Sequence, residues 1–139
     1  MIYKHTQIGW VIICSLGAAA MITFFLNVSA LSVWILSILA VLFATLTVSV
    51  DAENVNIAFG PGIIRKKFRL KSIENCQISK TKCCSWGIHG WGKRWLFNVS
   101  GFDTIELKMK NGMAYYIGTD QPAQLEKAIN DQRKICPNR

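Results

Sequence analysis

The sequence predicts an α+β membrane protein in which an N-terminal pair of transmembrane helices precedes a small, strongly bent antiparallel β domain closed by a C-terminal helix. Residues 5–50 contain no Asp, Glu, Lys or Arg. Residues 51–139 hold 15 of the 16 Lys and Arg and all eight Asp and Glu, which gives them a net charge of +7. Short runs of alternating apolar and polar residues, typical of strands, follow this break in composition. The sequence therefore predicts a helical unit over 1–50 and a β domain over 51–139.

The uncharged segment is long enough for two membrane spans. A bilayer core about 30 Å thick requires roughly 20 apolar residues per helix. The 45 residues from Thr6 to Val50 accommodate two such helices, at about 8–26 and 30–46, with a polar turn between them. We therefore expect a transmembrane hairpin.

The flanking charges predict how this hairpin is oriented. Lys4 precedes the first span, five Lys and Arg lie between residues 65 and 71, and the turn carries no charge. The positive-inside rule then places both termini in the cytoplasm, in a multi-pass protein of the inner (plasma) membrane. A cleaved signal peptide ending near Ala18–Ala20 is the alternative, but the apolar run continues to Leu26.

A basic strand at residues 63–73 is the most informative part of the β domain. Its even positions are mostly apolar, whereas its odd positions are the cations Arg65, Lys67, Arg69 and Lys71. Side chains two apart on a strand share one face, so these four cations form a ribbon. The ribbon is either a solvated face that prevents wrong pairing at a sheet edge or a contact for anionic lipid headgroups.

A second hairpin has a loop whose length the apolar pattern decides. A three-residue loop of Lys110, Asn111 and Gly112 places the six apolar residues of the two strands on one face. A two-residue loop would divide them between both faces. We therefore predict the longer loop, with Gly112 in the left-handed conformation, and a C-terminal helix at about 121–135, capped by Thr119 or Asp120.

Several runs resemble a known family. They are Phe59–Lys66, Trp86-Gly87-Ile88, Trp95-Leu96-Phe97-Asn98-Val99-Ser100-Gly101 and Ile117-Gly118-Thr119-Asp120. Together they are similar to an uncharacterised bacterial membrane protein family with two transmembrane helices followed by a pleckstrin-homology-like (PH-like) domain. The resemblance covers essentially the whole chain and implies a PH-like β-barrel or bent sheet, without catalytic residues. The sequence departs from the family's pattern at Cys83-Cys84 and at His89.

The Trp-Gly segment, residues 86–95, supports two hypotheses. In the first hypothesis, Trp86 and Trp95 fill the core of the β domain while the glycines form turns. Alternatively, the loop rests in the headgroup layer of a membrane, where Trp91 inserts beside Lys93 and Arg94.

No pattern of catalysis, metal binding or cofactor binding is present in the sequence. It lacks a phosphate-binding loop, a catalytic triad and a separated carboxylate pair, so we expect neither an enzyme nor a cofactor. The cysteines beside His89 lack the C-x-x-C spacing of a zinc site, and we expect no metal. The net charge is compatible with nucleic acid, but a basic domain beside a membrane has a simpler explanation.

Two functions remain. One is a membrane-anchored binding module that contacts anionic lipid headgroups through Arg65, Lys67, Arg69, Lys71, Trp91, Lys93 and Arg94. The other is a scaffold or assembly subunit that docks another membrane protein. The expected partners are the lipid bilayer, anionic lipids, another membrane protein, or a second copy packed through the small residues Ser37, Ala40 and Ala44.

Overall fold

The computed structural model describes residues 2–80, 87–99 and 102–135. Within these ranges the chain forms nine strands, three α-helices and one 3-10 turn at Leu70–Ser72. The strands are β1 Tyr3–Ile8, β2 Thr45–Val50, β3 Asn54–Phe59, β4 Ile64–Arg69, β5 Ile73–Lys80, β6 Gly87–Trp91, β7 Arg94–Asn98, β8 Asp103–Met109 and β9 Ala114–Gly118. The helices are α1 Trp10–Phe25, α2 Ala30–Phe43 and α3 Pro122–Ile135.

In the part of the chain that the structure describes, no helix is both long enough and apolar enough to cross a membrane. The predicted transmembrane hairpin, and the multi-pass inner-membrane location that rested on it, are therefore wrong. Helix α1 has 16 residues and α2 has 14. At 1.5 Å per residue their lengths are about 24 and 21 Å, short of the roughly 30 Å of a bilayer core. The expected spans were too long because residues on either side of the helices form strands.

The first four strands form an antiparallel sheet, sheet A, in the order β1-β2-β3-β4. Strand β1 pairs with β2 from Tyr3 opposite Val50 to Ile8 opposite Thr45. The α1–α2 pair is therefore an insertion between two neighbouring strands, and the Gly9 N–H donates to the carbonyl of Ala44 across its base at 2.7 Å. Sheet A contains residues from both sides of the boundary expected between residues 50 and 51.

The other five strands form sheet B, in the order β5-β8-β9-β7-β6. All its neighbours are antiparallel except β7 and β9, which are parallel. The described strands thus form two sheets joined through the turn at Leu70–Ser72. The prediction of one antiparallel barrel or bent sheet is therefore wrong, because these strands form two sheets and do not close into a barrel. Because the β7–β9 pairing joins strands distant in sequence, no local pattern of residues indicates it.

The two sheets pack through their apolar faces. The ring of Phe59 in β3 lies 6.2 Å from that of Phe97 in β7, and Phe68 in β4 lies 4.6 Å from Tyr115 in β9. Phe59 also contacts Phe43 at the end of α2, with ring centroids 5.8 Å apart. One buried ring therefore joins the helix pair to both sheets. In each sheet we call the face that carries these rings the inner face and the opposite one the outer face.

The loop between β8 and β9 confirms the sequence prediction. Leu107 lies opposite Tyr115 and Ile105 opposite Ile117, the register that a three-residue loop requires. Gly112 has a φ of 80°, in the left-handed region. The burial of apolar residues on one face thus fixed the pairing.

Helix α3 packs against β5 and β8, where it buries Leu125 and Ile129 completely. Its start is tied to β1, because the imidazole Nε2 of His5 lies 2.5 Å from the carboxylate of Asp120. The hydroxyl of Tyr3 also donates to the side chain of Gln121 at 3.4 Å. The N-terminal strand is therefore held from both directions, by β2 and by the segment that precedes α3.

The substitution Gly60→Ala tests how the helix pair packs on sheet A. Gly60 has a φ of 53°, and a Cβ there would lie 2.6 Å from the carbonyl oxygen of Leu42 and 2.8 Å from that of Val41. We expect a loss of about 2–5 kcal/mol in the free energy of unfolding, measured in urea. Left-handed strain accounts for roughly 1–2 kcal/mol of it, and displacement of the α2 backbone accounts for the rest.

Gly92→Ala is the matched control. Gly92 has a similar φ of 59°, but a Cβ there would meet nothing within 4 Å. This variant should lose only the strain contribution, about 1–2 kcal/mol. Equal losses in the two variants would contradict the close packing of Gly60 against α2.

Candidate anion-binding surface

Three of the cations expected in a ribbon lie on the outer face of sheet A. They belong to β4, which is the edge strand of that sheet. Arg65, Lys67 and Arg69 alternate with Phe68, whose side chain is buried in the core. Their cross-strand partners in β3 are Ala58, Asn56 and Asn54. The side-chain period of two along a strand therefore brings these three cations together.

The rest of this outer face is polar and rich in hydroxyl and amide groups. Asn56 lies beside Lys67 and opposite Ser49, which in turn lies opposite Lys4. In the neighbouring row the hydroxyl oxygens of Thr6 and Thr47 lie 2.9 Å apart. An anion on this surface would therefore meet hydrogen-bond donors as well as positive charge. We call the surface formed by Arg65, Lys67, Arg69 and these polar neighbours the β4 face.

Positive charge predominates on the β4 face, although the carboxylate of Glu53 borders the same part of it as Lys67 and Arg69. Within residues 2–80, 87–99 and 102–135, neither Lys67 nor Arg69 forms an ion pair. Arg65 directs its Nε towards the carbonyl of Gly62 at 2.5 Å. The nearby carboxylate of Asp51 accepts a hydrogen bond from the Asn56 amide at 2.7 Å. Like charges two residues apart on a strand repel one another, so an anion bound between them lowers their electrostatic energy.

Two shallow depressions lie along the β4 face and meet at Lys67. The first, of about 440 Å³, is bordered by Ser49, Asn56, Gly62, Arg65 and Lys67, among others. The second, of about 370 Å³, is bordered by Glu53, Asn54, Lys67, Arg69 and Lys71. Lys67 is therefore the central cation of the surface.

Lys71 reaches this surface in a different way from the one predicted. The strand expected over residues 63–73 ends at Arg69, and Lys71 belongs to the 3-10 turn that leads to sheet B. It nevertheless borders the second depression with Lys67 and Arg69. All four expected cations thus line one side of the molecule, although only three share the strand.

The other expected site residues, Trp91, Lys93 and Arg94, lie at the tip of the β6–β7 hairpin. Trp91 pairs with Arg94 and is 91% exposed, and Lys93 occupies the two-residue loop between them. Phe97, which alternates with Arg94 along β7, is buried in the core. Trp91 and Arg94 therefore lie on the outer face of sheet B.

The structure does not combine the two sets of residues into one site. Sheets A and B pack through their inner faces, as the contact between Phe59 and Phe97 shows. The β4 face and the pair of Trp91 and Arg94 occupy the two outer faces, on opposite sides of the core. The two sets therefore lie on different faces, although the turn that carries Lys71 and the loop that carries Lys93 both adjoin the β8–β9 loop, through hydrogen bonds from Lys110 to Ser72 and from Ala114 to Lys93.

Trp95 does not fill the core as the first hypothesis for the Trp-Gly segment expected. Its side chain is 37% exposed, and its ring lies over Gly90, the residue opposite it in β6. A Cβ at Gly90 would lie 2.8 Å from this ring. The glycine thus makes room for the tryptophan at the sheet edge. Trp86 is outside the residues that the structure describes.

A carboxylate, that of Glu106, shares the outer face of sheet B with Arg94. Glu106, two strands away on the same face, accepts hydrogen bonds from Tyr116 at 3.0 Å and from Gln77 at 2.6 Å. The pKa of Tyr116 is raised, chiefly by partial burial and then by its hydrogen bond to Glu106 and the negative charge of Glu106. The positive charge of Arg94 acts in the opposite direction and lowers this pKa. Arg94 and Glu106 thus both act on Tyr116 at the outer face of sheet B.

Metal binding and thiol chemistry find no support in the described residues. Within them, no three His, Cys, Asp or Glu side chains converge to hold an ion. Cys83, Cys84 and Cys136 lie outside the described ranges, and Cys14 is exposed on α1. Cys76 is buried between β5 and α3, where burial, together with Glu126 and against Arg133, raises its pKa to about 12. Cys76 is therefore a protonated core thiol at neutral pH.

Comparison with known proteins identified no relative. No family model, curated protein or solved structure matches this chain. The resemblance to the bacterial PH-like family thus stays a prediction, and the functional argument rests on the surfaces described above.

The raised pKa of Cys76 predicts how stability depends on pH. The pKa rises from 9.0 to about 12 on folding, so between these values the folded protein keeps a proton that the unfolded chain loses. This contribution to stability is fully present below pH 9 and is lost as the pH rises towards 12. At about pH 10.5 the loss relative to about pH 8 should reach up to about 2 kcal/mol.

Cys76→Ala removes the thiol and provides the comparison. At about pH 8 the variant is less stable because it leaves a small cavity. Its urea-unfolding free energy should nevertheless fall less between about pH 8 and about pH 10.5 than that of the unsubstituted protein. The same pH dependence in both proteins would show that Cys76 does not titrate as described.

Proposed function

We propose that the protein is a binding module without catalytic activity, whose β4 face contacts the phosphate groups of anionic lipid headgroups. The observation that carries this proposal is the position of Lys67. It borders both depressions on the β4 face, lies between Arg65 and Arg69, and forms no ion pair with any described residue. The contact needs no helix that crosses the membrane.

The spacing of the cations favours an array of phosphates over a single one. Arg65 and Arg69 lie four residues apart on β4, which corresponds to about 13 Å between their backbones. A single phosphate cannot bridge that distance, whereas neighbouring headgroups at a lipid surface can each meet one cation. The open β4 face also lacks the enclosing walls typical of a pocket for a small molecule.

The expected affinity is low and depends on charge density. Each Lys or Arg near an anionic leaflet contributes about 1 kcal/mol. Arg65, Lys67, Arg69 and Lys71 would then contribute about 4 kcal/mol, the equivalent of a dissociation constant near 1 mM for a single copy. Because this attraction falls off within a Debye length, binding should weaken steeply as the salt concentration rises.

A second candidate function is assembly, with the α1–α2 pair as the contact surface. It is favoured by a separate observation, namely that this uncharged pair exposes large apolar side chains such as Phe25 and Trp34. Exposed apolar patches of this kind usually mark an interaction surface.

Lys67→Gln tests the proposal in a co-sedimentation experiment. The probes are vesicles of phosphatidylcholine with or without phosphatidylserine, mixed with the full chain at low salt. We expect Lys67→Gln to weaken binding to the anionic vesicles about fivefold, the equivalent of one lost contact. The variant that combines it with Arg65→Gln and Arg69→Gln should no longer sediment with them.

Lys108→Gln is the charge-matched control. Lys108 is exposed on a strand of sheet B, between the buried residues Leu107 and Met109, so it lies on the opposite outer face. This variant and Trp91→Ala should bind within twofold of the unsubstituted protein. Equal loss in Lys67→Gln and Lys108→Gln would show that only net charge matters. Competition by free phosphate at constant ionic strength would identify a soluble anion as the ligand instead. Either result overturns the proposal.

A further inference from the structure

The α1–α2 pair carries a large apolar surface that nothing in the described structure covers. Fourteen large apolar side chains between residues 10 and 41 are exposed. Phe25 is 74% exposed and Trp34 is 69% exposed. No charged residue lies in this range. A monomer in water rarely exposes a contiguous apolar patch larger than a few hundred Å².

The size of this surface matches what a stable protein interface requires. A large apolar side chain that is half exposed presents roughly 80–100 Å² to solvent, because fully buried aromatic side chains remove 150–250 Å². The fourteen side chains then expose on the order of 1,000 Å². A standard protein–protein interface buries about 800 Å² on each partner.

The exposed residues of the two helices differ in size. Helix α1 exposes the small residues Cys14, Gly17 and Ala18, and a Cβ at Gly17 would meet nothing within 4 Å. Helix α2 exposes a ridge of large residues that includes Trp34, Ile35 and Ile38. Small residues on one helix allow close approach by the side chains of another.

We propose that this surface binds a second copy of the same chain. The α2 ridge of each copy packs along the small-residue side of α1 in the other, which gives a symmetric four-helix bundle. A two-fold axis repeats the same contact twice, so one pair of complementary surfaces is sufficient. The stripe of Ser37, Ala40 and Ala44, through which the sequence suggested that two copies pack, does not form the proposed contact surface by itself. Only Ser37 is exposed, and Ala40 and Ala44 are half-buried.

The charge distribution permits such a dimer even though each chain carries a net charge of +8. The helix pair has no charge, so its surfaces do not repel. Strand β7 runs from Arg94 towards Val99. The Cβ of Val99 lies 3.1 Å from where a Cβ on Gly9, the residue before α1, would be, so this end of β7 is next to the helices. The cationic tip of the β6–β7 hairpin, at Arg94, therefore points away from them. The run from Arg94 to Val99 covers about 17 Å, beyond the Debye length of about 8 Å at physiological salt.

Gly17→Leu tests the proposal, with Gly17→Ala as the matched control. A Cβ at Gly17 meets nothing within 4 Å in one copy, and both substitutions replace glycine with a better helix former, so both variants should unfold at equal or higher urea concentration than the unsubstituted protein. Only the leucine obstructs the approach of α2 from the other copy. We expect sedimentation equilibrium of the full chain to show a dimer for the unsubstituted protein and for Gly17→Ala. Gly17→Leu should raise the dimer dissociation constant at least tenfold.

Trp34→Ala provides a second, independent variant on the opposite helix. It removes a ridge side chain that is 69% exposed and should also raise the dissociation constant at least tenfold without lowering the stability of the monomer. A dimer that is unaffected by both Gly17→Leu and Trp34→Ala overturns the proposal. A chain that stays monomeric and instead floats with uncharged phosphatidylcholine vesicles also overturns it, because the surface would then be covered by lipid.

Discussion

Strand β1 pairs with β2 across the base of the helix pair, and this ladder determines the arrangement of the rest of the molecule. It runs from Tyr3 opposite Val50 to Ile8 opposite Thr45, and the hydrogen bond from Gly9 to Ala44 closes it. Both ends of an uncharged helical segment are thereby held at one end of sheet A. The helices are not a separate N-terminal unit, because the strand that precedes them belongs to the same sheet as the strand that follows.

The alternation along sheet A separates two kinds of surface. Val48, Ile57 and Phe68 belong to the inner face and pack in the core with sheet B and α3. The residues between them supply hydroxyl, amide and cationic groups to the outer face. A one-residue shift of any of these strands would exchange the two sets, so the energy of core burial also fixes the positions of the cations. The candidate site is thus a consequence of how the core is formed.

The sequence was most informative where a local pattern decides the structure. The loop containing Gly112 was predicted correctly because only one loop length keeps six apolar residues together. Strand β1 was missed, and the first two residues of β2, Thr45 and Leu46, were read as the end of a membrane span. Both are uncharged and continue the apolar run of α2, so the boundary between helix and strand does not show in the local pattern. The parallel pairing of β7 with β9 and the position of Trp95 over Gly90 depend on contacts distant in sequence, which no local pattern reveals. The same holds for the separation of Lys67 from Trp91, which follows from how the two sheets pack.

Removal of the helix pair tests the central claim most directly. A two-residue Asn-Gly turn in place of residues 9–44 would join β1 to β2 as a hairpin, the loop length that this turn favours. If the helices are an insertion, this shortened chain should unfold cooperatively in urea, although it is less stable without the contact between Phe43 and Phe59. Hydrogen exchange should show protected amides along Tyr3–Ile8. Unprotected amides in this strand, or a chain that does not fold, would contradict the account.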